Sequence, residues 1–237
     1  MRLAELVAVA LALASCSASA QSPDLADRLS ALARGGNAEA SYHLGMLYNN
    51  GAGVAQDNAR ALSLFRASAE GGDPLGAYKL GCYYAGQFGV IEPDEDQALR
   101  YKLIAAEAGY SLAQLDVAIL HYRRGSYGEA LRWFEAAARQ GEAQALYNLS
   151  VMYRDGQGTP PSRARTYAFF RLSHIAAHGA VRPTAQQTLD ELWAQMSAAE
   201  RAEAQRFDAD WVTGPTPLTQ LAFSGMERAE ALARAGR

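Results

Sequence analysis

The segment AEASYHLGMLYNNGAG, residues 38–53, decides the fold, because a second version of it, AQALYNLSVMYRDGQG, occupies residues 143–158. The two segments share Ala, Ala, Tyr, Leu, Tyr, Gly and Gly in register, at a constant offset of 105 residues. Self-similarity of this kind indicates a structural unit that is used repeatedly along the chain.

Two further copies of the same frame lie between these segments, PLGAYKLGCYYAG at residues 74–86 and SLAQLDVAILHY at residues 111–122. Aligning the four copies gives an apolar column, a column of small residues directly after it, and a ring column three positions later. These columns are Leu44, Leu80, Val117 and Leu149; Gly45, Gly81, Ala118 and Ser150; and Tyr48, Tyr84, His121 and Tyr153.

A second periodic segment follows each copy, and in both segments the apolar residues recur at i, i+3, i+4 and i+7, the spacing of amphipathic helices. Each repeat is therefore predicted to be a pair of helices. The second segments contribute a column beginning at Ala61, Ala98, Ala130 and Thr166, then a bulky column, Leu64, Tyr101, Trp133 and Phe169. Intervals of 36, 37 and 32 in the first helices, and of 37, 32 and 36 in the second, both sum to 105, so the length changes lie in loops.

Residues that begin and end helices support these boundaries. Polar residues suited to capping a helix N-terminus precede the predicted helices, at Asn37, Asp57, Asp73, Asp94, Ser111, Ser126 and Ser162. Ser126 with Glu129, and Ser197 with Glu200, have the spacing of a capping box. Glycines at 72, 109 and 141 follow second helices, where a left-handed residue is needed to end a helix.

The pattern A-x-x-x-L-G-x-x-Y-x-x-G-x-G-V at Ala40 to Val54, followed by Asp57, Ala61 and AEGG at 69–72, resembles the Sel1-like repeat family, which is related to the tetratricopeptide repeats. The resemblance covers about residues 24–180. It departs in the third repeat, which lacks the glycine loop, and in the fourth, where Thr159 and Pro160 stand in place of the family's valine. The resemblance implies a right-handed superhelix that binds proteins or peptides as an adaptor or regulator, without chemistry of its own.

The predicted fold is therefore an all-α, right-handed α-solenoid, because helix pairs that cannot bury their apolar faces alone must stack on one another. The predicted order is a capping helix at 24–36, repeats at 37–72, 73–109, 110–141 and 142–180, and a C-terminal helical cap at 184–237 that closes the end of the stack. The alternative for the C-terminal segment is a free tail whose amphipathic helices dock a partner.

The first twenty residues predict an export signal, with Arg2, an apolar run and an Ala-Ser-Ala cleavage site ending at Ala20. This apolar run is too short for a membrane span. The predicted location is therefore periplasmic or secreted. The segment LASC, however, resembles a bacterial lipoprotein box, so the alternative is a protein anchored in the bacterial envelope through a lipid on Cys16. Only Cys82 would remain after cleavage at Ala20, and its apolar helical surroundings predict a buried, unreactive thiol.

Other functional classes find weak support. A net charge of −3 and only two lysines provide no basic stripe for nucleic acid. His174 and His178 have a spacing that can bind zinc, but the metalloprotease signature and a third ligand are missing, so no metal or cofactor is predicted. The rival hypothesis is an envelope hydrolase or peptidoglycan-modifying enzyme that uses the C-terminal helices and His174.

We expect a non-enzymatic protein that binds a protein or peptide in a groove. The resemblance implies that certain columns of the first helices face inward, and these give the predicted groove. Its members are Tyr42, His43, Asn49, Asn50, Tyr78, Lys79, Leu115, Asp116, Tyr122, Arg123, Tyr147, Asn148, Arg154 and Asp155, together with the column Met46, Cys82, Ile119 and Val151. Tyrosine rings on rigid helices are suitable anchors for a peptide, and packing between repeats is the alternative role for them.

Overall fold

The computed structural model describes residues 23–211 and 214–236, so the predicted export signal and Cys16 lie outside the described residues. All regular structure in the described part is helical. The twelve helices of this part are α1 (Pro23–Arg34), α2 (Ala38–Asn50), α3 (Asn58–Glu70), α4 (Pro74–Tyr84), α5 (Glu95–Glu107), α6 (Ser111–Arg123), α7 (Tyr127–Arg139), α8 (Ala143–Asp155), α9 (Arg163–His178), α10 (Pro183–Ala194), α11 (Ala198–Asp210) and α12 (Pro217–Ala235).

The helices from α2 to α9 form four pairs that stack in chain order. Each first helix packs on its own second helix, and each second helix packs on the first helix of the next pair. The first helices α2 and α4 also touch each other, and α1 packs on α2. The predicted fold class, an all-α solenoid of helix pairs between terminal capping helices, is confirmed.

Small residues in the predicted column allow the two helices of a pair to approach closely. A Cβ atom on Gly45 would lie 2.8 Å from Cε1 of Phe65, and a Cβ on Gly81 would lie 2.8 Å from Cγ of Lys102 and 3.1 Å from the backbone oxygen of Ala98. Ala118 and Ser150, which occupy the same column in the later repeats, are buried. The column is therefore the contact line between paired helices.

The bulky column of the second helices fills the core less uniformly than the sequence predicted. Trp133 and Phe169 are buried, whereas Leu64 and Tyr101 are only half-buried. In the first and third repeats the most deeply buried ring lies one position later, at Phe65 and Phe134. The repeat periodicity alone did not distinguish these two neighbouring positions.

Lys102 occupies this deep position in the second repeat and is only 5% exposed. Its Nζ donates a hydrogen bond to Oδ2 of Asp116 at 2.6 Å and lies 6.0 Å from the centre of the Tyr78 ring. A buried ammonium group requires such a partner, because an unpaired charge in an apolar environment is costly. Asp116, predicted as a groove residue, therefore also neutralises a charge in the core.

Most of the predicted helix caps are confirmed. The side chains of Asn37, Asp57, Asp73, Asp94 and Ser162 accept hydrogen bonds from backbone N–H groups of the first turn, and Ser197 with Glu200 forms the predicted capping box. Gly72, Gly109 and Gly141 adopt positive φ after second helices.

Two predictions about the caps are wrong, namely Ser111 as an N-cap residue and a capping box at Ser126 and Glu129. Ser111 is the first residue of α6 instead of its cap, and its Oγ donates to Oε1 of Glu142 at 2.6 Å. Ser126 is the N-cap residue of α7, as predicted, but its side chain makes no capping hydrogen bond, and Glu129 accepts from Arg132 instead. Ser111 and Glu129 each have a charged side chain as their hydrogen-bond partner, and such bonds are stronger than those between neutral groups.

The three C-terminal helices divide between two locations. Helices α10 and α11 pack on α9, at the end of the stack, as predicted. Helix α12 takes a different course from the predicted one, because it runs back to contact α1 and α2 at the opposite end. Its residues Ala229 and Ala233 belong to a buried cluster with Leu25, Leu29 and Leu44. The last helix therefore joins the two ends of the described chain.

The close approach at Gly81 gives a test. Gly81→Ala should lower the free energy of unfolding by about 1–3 kcal/mol, since the added methyl group meets the backbone of α5 and the pair must separate. Urea unfolding followed by circular dichroism measures this effect. The matched control is Gly128→Ala on the exposed start of α7, where a Cβ meets nothing within 4 Å, so stability should be unchanged or slightly higher. Equal midpoints for both variants would contradict the assigned contact.

Candidate partner-binding surface

Helix α12 covers the predicted groove at the first repeat. Tyr42, His43 and Met46 of α2 face Ala222, Gly225 and Met226 of α12 across a cavity of about 230 Å³. Tyr42 and His43 are buried, at 8% and 5% exposure. The first-repeat part of the groove is thus occupied by the chain itself.

In the predicted column of Met46, Cys82, Ile119 and Val151, Cys82 is buried and the other three are half-buried. The other fourteen predicted groove residues fall into three groups that differ in exposure. The buried group consists of Tyr42, His43, Asn49 and Leu115. The half-buried group consists of Tyr78, Lys79, Asp116, Tyr122 and Asn148, and the exposed group consists of Asn50, Arg123, Tyr147, Arg154 and Asp155. Four of the five exposed residues lie in the third and fourth repeats, so the open part of the predicted groove lies toward the C-terminal end of the stack.

Internal contacts account for the burial in the first repeat. The Tyr42 ring contacts His43 and Phe65, with ring centres 5.1 Å and 6.1 Å apart. Burial raises the pKa of the Tyr42 hydroxyl well above its usual value. Asn49 Oδ1 accepts a hydrogen bond from the Tyr83 hydroxyl at 2.9 Å. These side chains therefore hold neighbouring helices together, which is the packing role that was left open for the tyrosine column.

The second and third repeats use their predicted groove residues partly for internal contacts. The ring of Tyr78 meets the edge of Tyr110, with centres 4.9 Å apart, and burial raises the pKa of Tyr110 to about 12. The hydroxyl of Tyr122 donates to Oε1 of Gln157, in the loop of the next repeat, at 2.9 Å. These contacts fix the orientation of the half-buried rings.

The fourth repeat presents an open surface. Tyr147 is 49% exposed, and its ring centre lies 6.4 Å from that of Phe170 on α9. Beside it is a cavity of about 310 Å³, which Val151, Arg154 and Leu192 also line. We call these five residues the repeat-four surface. It brings together the first helix, the second helix and the capping helix α10.

Two members of the repeat-four surface were not predicted from the sequence. Phe170 lies on a second helix, and the resemblance assigned only first helices to the groove. Leu192 lies on α10, outside the repeats, so no column of the alignment includes it. The apolar periodicity of residues 184–196 was the available signal for α10, but periodicity does not tell which neighbour a helix contacts.

Charged groups of both signs surround the repeat-four surface. Arg154 donates to both carboxylate oxygens of the adjacent Asp155, at 2.7 and 2.9 Å, and this pair lowers the pKa of Asp155. A second cavity of about 440 Å³ shares Arg154 and Leu192 and extends to Arg163 and Glu200, which lie 3.7 Å apart. The surface is therefore a partly apolar depression with a rim of mixed charge.

An ion pair attaches α12 to the first repeat. Arg228 donates through Nε and Nη2 to the two oxygens of Glu39, at 2.5 and 2.8 Å. Hydrogen bonding to Arg228 holds the pKa of Glu39 below its usual value. Nε2 of His43 lies 3.7 Å from Glu39, but burial keeps the pKa of His43 below its usual value. Arg228 is thus the charged partner of Glu39 when His43 is neutral.

The residues considered for chemistry have ordinary surroundings. Cys82 is buried, and burial raises the pKa of its thiol. The rings of His174 and His178 lie 5.9 Å apart, and burial together with Arg182 lowers the pKa of His174. In residues 23–211 and 214–236 no cluster of three His, Cys, Asp or Glu side chains is arranged to hold a metal ion. No helix in this same part is long and apolar enough to cross a bilayer.

The Glu39–Arg228 pair predicts a change in titration. In Arg228→Gln the pKa of Glu39 should rise, since its main hydrogen-bond donor is lost, and the pKa of His43 should rise, because a nearby positive charge is removed. The pair stabilises the fold at pH values above the usual pKa of a glutamate side chain. This contribution is lost as the pH falls through the lowered pKa of Glu39. NMR titration of both side chains measures the shifts. Arg234→Gln, also on α12 but paired with Glu230, is the control and should leave both values unchanged.

Comparison with known families gives a match that covers more than half of the chain. The family model described as the Sel1 repeat matches four consecutive segments, residues 38–73, 74–110, 111–142 and 143–173. These segments hold the helix pairs from α2 to α9.

Similar proteins include two curated relatives and a solved structure. The chain is 32% identical to the alginate biosynthesis protein AlgK of Azotobacter vinelandii, over 52% of this chain and 26% of that protein. It is 28% identical to the uncharacterized protein NMB1327 of Neisseria meningitidis, over 70% of this chain and 35% of that protein. The chain thus spans about a quarter to a third of these relatives.

Among solved structures, the Sel1 repeat protein from Oxalobacter formigenes superposes with a TM-score of 0.57 at 25% identity. The match covers 75% of this chain and 73% of that chain.

Proposed function

Because the chain belongs to the Sel1 repeat family, we propose that it is an exported, non-enzymatic adaptor that binds a protein or extended peptide on the inner side of its repeats. The repeat-four surface is the main contact site in this proposal. The proposal narrows the groove predicted from the sequence, since α12 covers the first repeat and the exposed groove residues concentrate in the third and fourth.

The observation that carries this proposal is the half-exposed ring of Tyr147. The ring lies against Phe170 at the edge of the 310 Å³ cavity, on helices that are fixed by a buried core. An aromatic ring with a polar end, held on a rigid support, loses little conformational entropy on binding. Such rings are over-represented among the residues that dominate binding energy in protein interfaces.

The mixed charges at the rim of the repeat-four surface favour a polypeptide ligand over a ligand that carries a strong charge of one sign. Arg154 and Arg163 are each paired with a carboxylate, of Asp155 and Glu200, so neither sign of charge dominates the surface. A peptide presents apolar side chains for the cavity, and it presents backbone and charged groups for a mixed rim. Complementary charges at a rim set orientation and association rate more than affinity.

The partner is not inherited from the relatives. The name of AlgK assigns it to alginate biosynthesis, but the region that is similar to this chain covers only about a quarter of AlgK. The similarity therefore supports a repeat scaffold and leaves the partner's identity to experiment.

Export is part of the proposal and rests on the sequence of the first twenty residues, with cleavage after Ala20. We expect mass spectrometry of the protein purified from its native host to find a mature N-terminus at Gln21. A diacylated Cys16 at the N-terminus would instead assign the protein to the lipid-anchored class. An intact Met1 in protein from the native host would contradict export.

The role of Tyr147 is tested by affinity capture. The Tyr147→Ala protein should recover about ten-fold less of the partner than wild type does, because it loses one exposed aromatic anchor. The matched control is Ile104→Ala, which removes a side chain of similar exposure, 44%, from the second helix of the second repeat. Quantitative mass spectrometry of proteins captured from the native envelope measures the ratio.

Equal capture by wild type, Tyr147→Ala and Ile104→Ala would contradict the repeat-four surface as the contact site. Circular dichroism and thermal unfolding of each variant establish that the fold is unchanged. Tyr147 is exposed and makes no hydrogen bond through its hydroxyl that the fold depends on, so its truncation should be tolerated.

A further inference from the structure

We propose that the second half of α12, Met226–Ala235, is a displaceable latch, and that the face of α1 and α2 beneath it is a second binding site. Its ligand is an amphipathic helix with small apolar residues on one side and a basic residue opposite Glu39. The inference deepens the proposed function, since it assumes a polypeptide partner, but it concerns a surface at the other end of the repeats.

The first half of α12 is fixed by a buried polar network. Thr219 is 1% exposed, and its hydroxyl accepts from the backbone N–H of Ser111 at 3.0 Å and donates to Oε1 of Gln140 at 2.7 Å. The Thr216 hydroxyl donates to the backbone oxygen of Gly109 at 2.8 Å. Gln140 also donates to the Gly109 oxygen. Separation here would leave several buried polar groups without partners, which is costly.

The second half of α12 is attached more weakly. Its buried side chains against α1 and α2 are two alanines, Ala229 and Ala233, with Met226 and Leu232 only partly buried. An alanine buries little apolar area, so each contact contributes little. The remaining attachment is the ion pair of Arg228 with Glu39, which are 41% and 27% exposed and so are partly hydrated in either state.

A hinge separates the two halves. Gly225 has φ +43° and ψ −107°, which lies outside the helical region and interrupts α12 at this residue. Residues other than glycine rarely adopt this backbone conformation. Glycine at this point allows the second half to change direction while Thr216 and Thr219 stay in place.

The cavity beneath the hinge indicates what kind of helix would bind better. The 230 Å³ space between α2 and α12 is lined by Tyr42, Met46 and Met226, so the latch does not fill the surface it covers. A helix with a larger apolar residue at the position of Met226, and small ones at the positions of Ala229 and Ala233, would fill this space and gain packing that the latch lacks. A basic residue at the position of Arg228 would keep the ion pair with Glu39.

The latch is tested first in the unaltered full-length protein by hydrogen exchange. Amides of Met226–Ala235 should exchange at least ten-fold faster than those of the Thr219–Ala222 segment, because the second half opens while the first stays docked. Equal protection of both halves would overturn the proposal. This measurement needs no variant, so it does not depend on whether a substituted chain folds.

The binding site is tested with a fluorescein-labelled synthetic peptide of residues 224–236, added to the full chain carrying Ala229→Asp and Ala233→Asp. These substitutions place charges on the docked side of the latch without altering α1 or α2. Fluorescence anisotropy should show binding at least ten-fold tighter than to wild type, whose own latch competes. The control is Ala231→Asp, which alters an exposed position of the same helix and should bind as wild type does.

A charge exchange tests the ion pair in this site. We call the chain with Ala229→Asp and Ala233→Asp the latch variant. Adding Glu39→Arg to the latch variant should weaken its binding of the peptide, and a peptide with Arg228→Glu should restore binding to this Glu39→Arg protein. No gain by the latch variant, or no effect of the exchange, would overturn the proposed site. Dimers that exchange C-terminal helices, detected by sedimentation of the latch variant, would also overturn it, because the occupant would then be a second copy.

These outcomes are separate from those of the proposed function. Capture through Tyr147 does not involve the latch. If the peptide does not bind as expected but capture of the partner still depends on Tyr147, only the second site is refuted. A peptide that binds while capture is unaffected by Tyr147→Ala refutes only the repeat-four surface.

Discussion

The close approach of the two helices in each pair is the constraint on which the rest of the structure depends. Gly45 leaves no room for a side chain against the ring of Phe65, and Gly81 leaves none against Lys102 and the backbone oxygen of Ala98. Each pair still exposes an apolar face, which only a neighbouring pair can cover. Stacking, the continuous core and the fixed positions of inner-face residues all follow from these two requirements.

The fold of the C-terminal region changes what the stack can offer to a partner. A solenoid capped only at its ends would expose the same inner columns in every repeat. Here α12 returns across the molecule and covers Tyr42 and His43, while Tyr147 remains half-exposed. The four repeats, which are alike in sequence, therefore differ in the exposure of these columns: α12 covers them in the first repeat, and Tyr147 is half-exposed in the fourth.

Equivalent columns also have unequal roles because their neighbours differ. Asp116 faces a buried lysine that occurs at this position only in the second repeat, so it contributes to stability as well as to the surface. Tyr122 is fixed by Gln157 from the next loop, whereas Tyr147 packs on Phe170. A repeat alignment treats such residues as one class, although burial and hydrogen bonding decide whether each is available for binding.

The sequence by itself determined the helix pairs, their order, most of the caps and the small column, because all of these depend on residues within a few turns of one another. It did not determine which half of the predicted groove is exposed, the deep burial of Phe65 and Phe134, or the position of Leu192 in the repeat-four surface. Those features were decided by tertiary contacts, above all by the return of α12 to α1 and α2. Amphipathic periodicity shows that a helix has a side to bury, but the shape and charge of distant surfaces select where that side is buried.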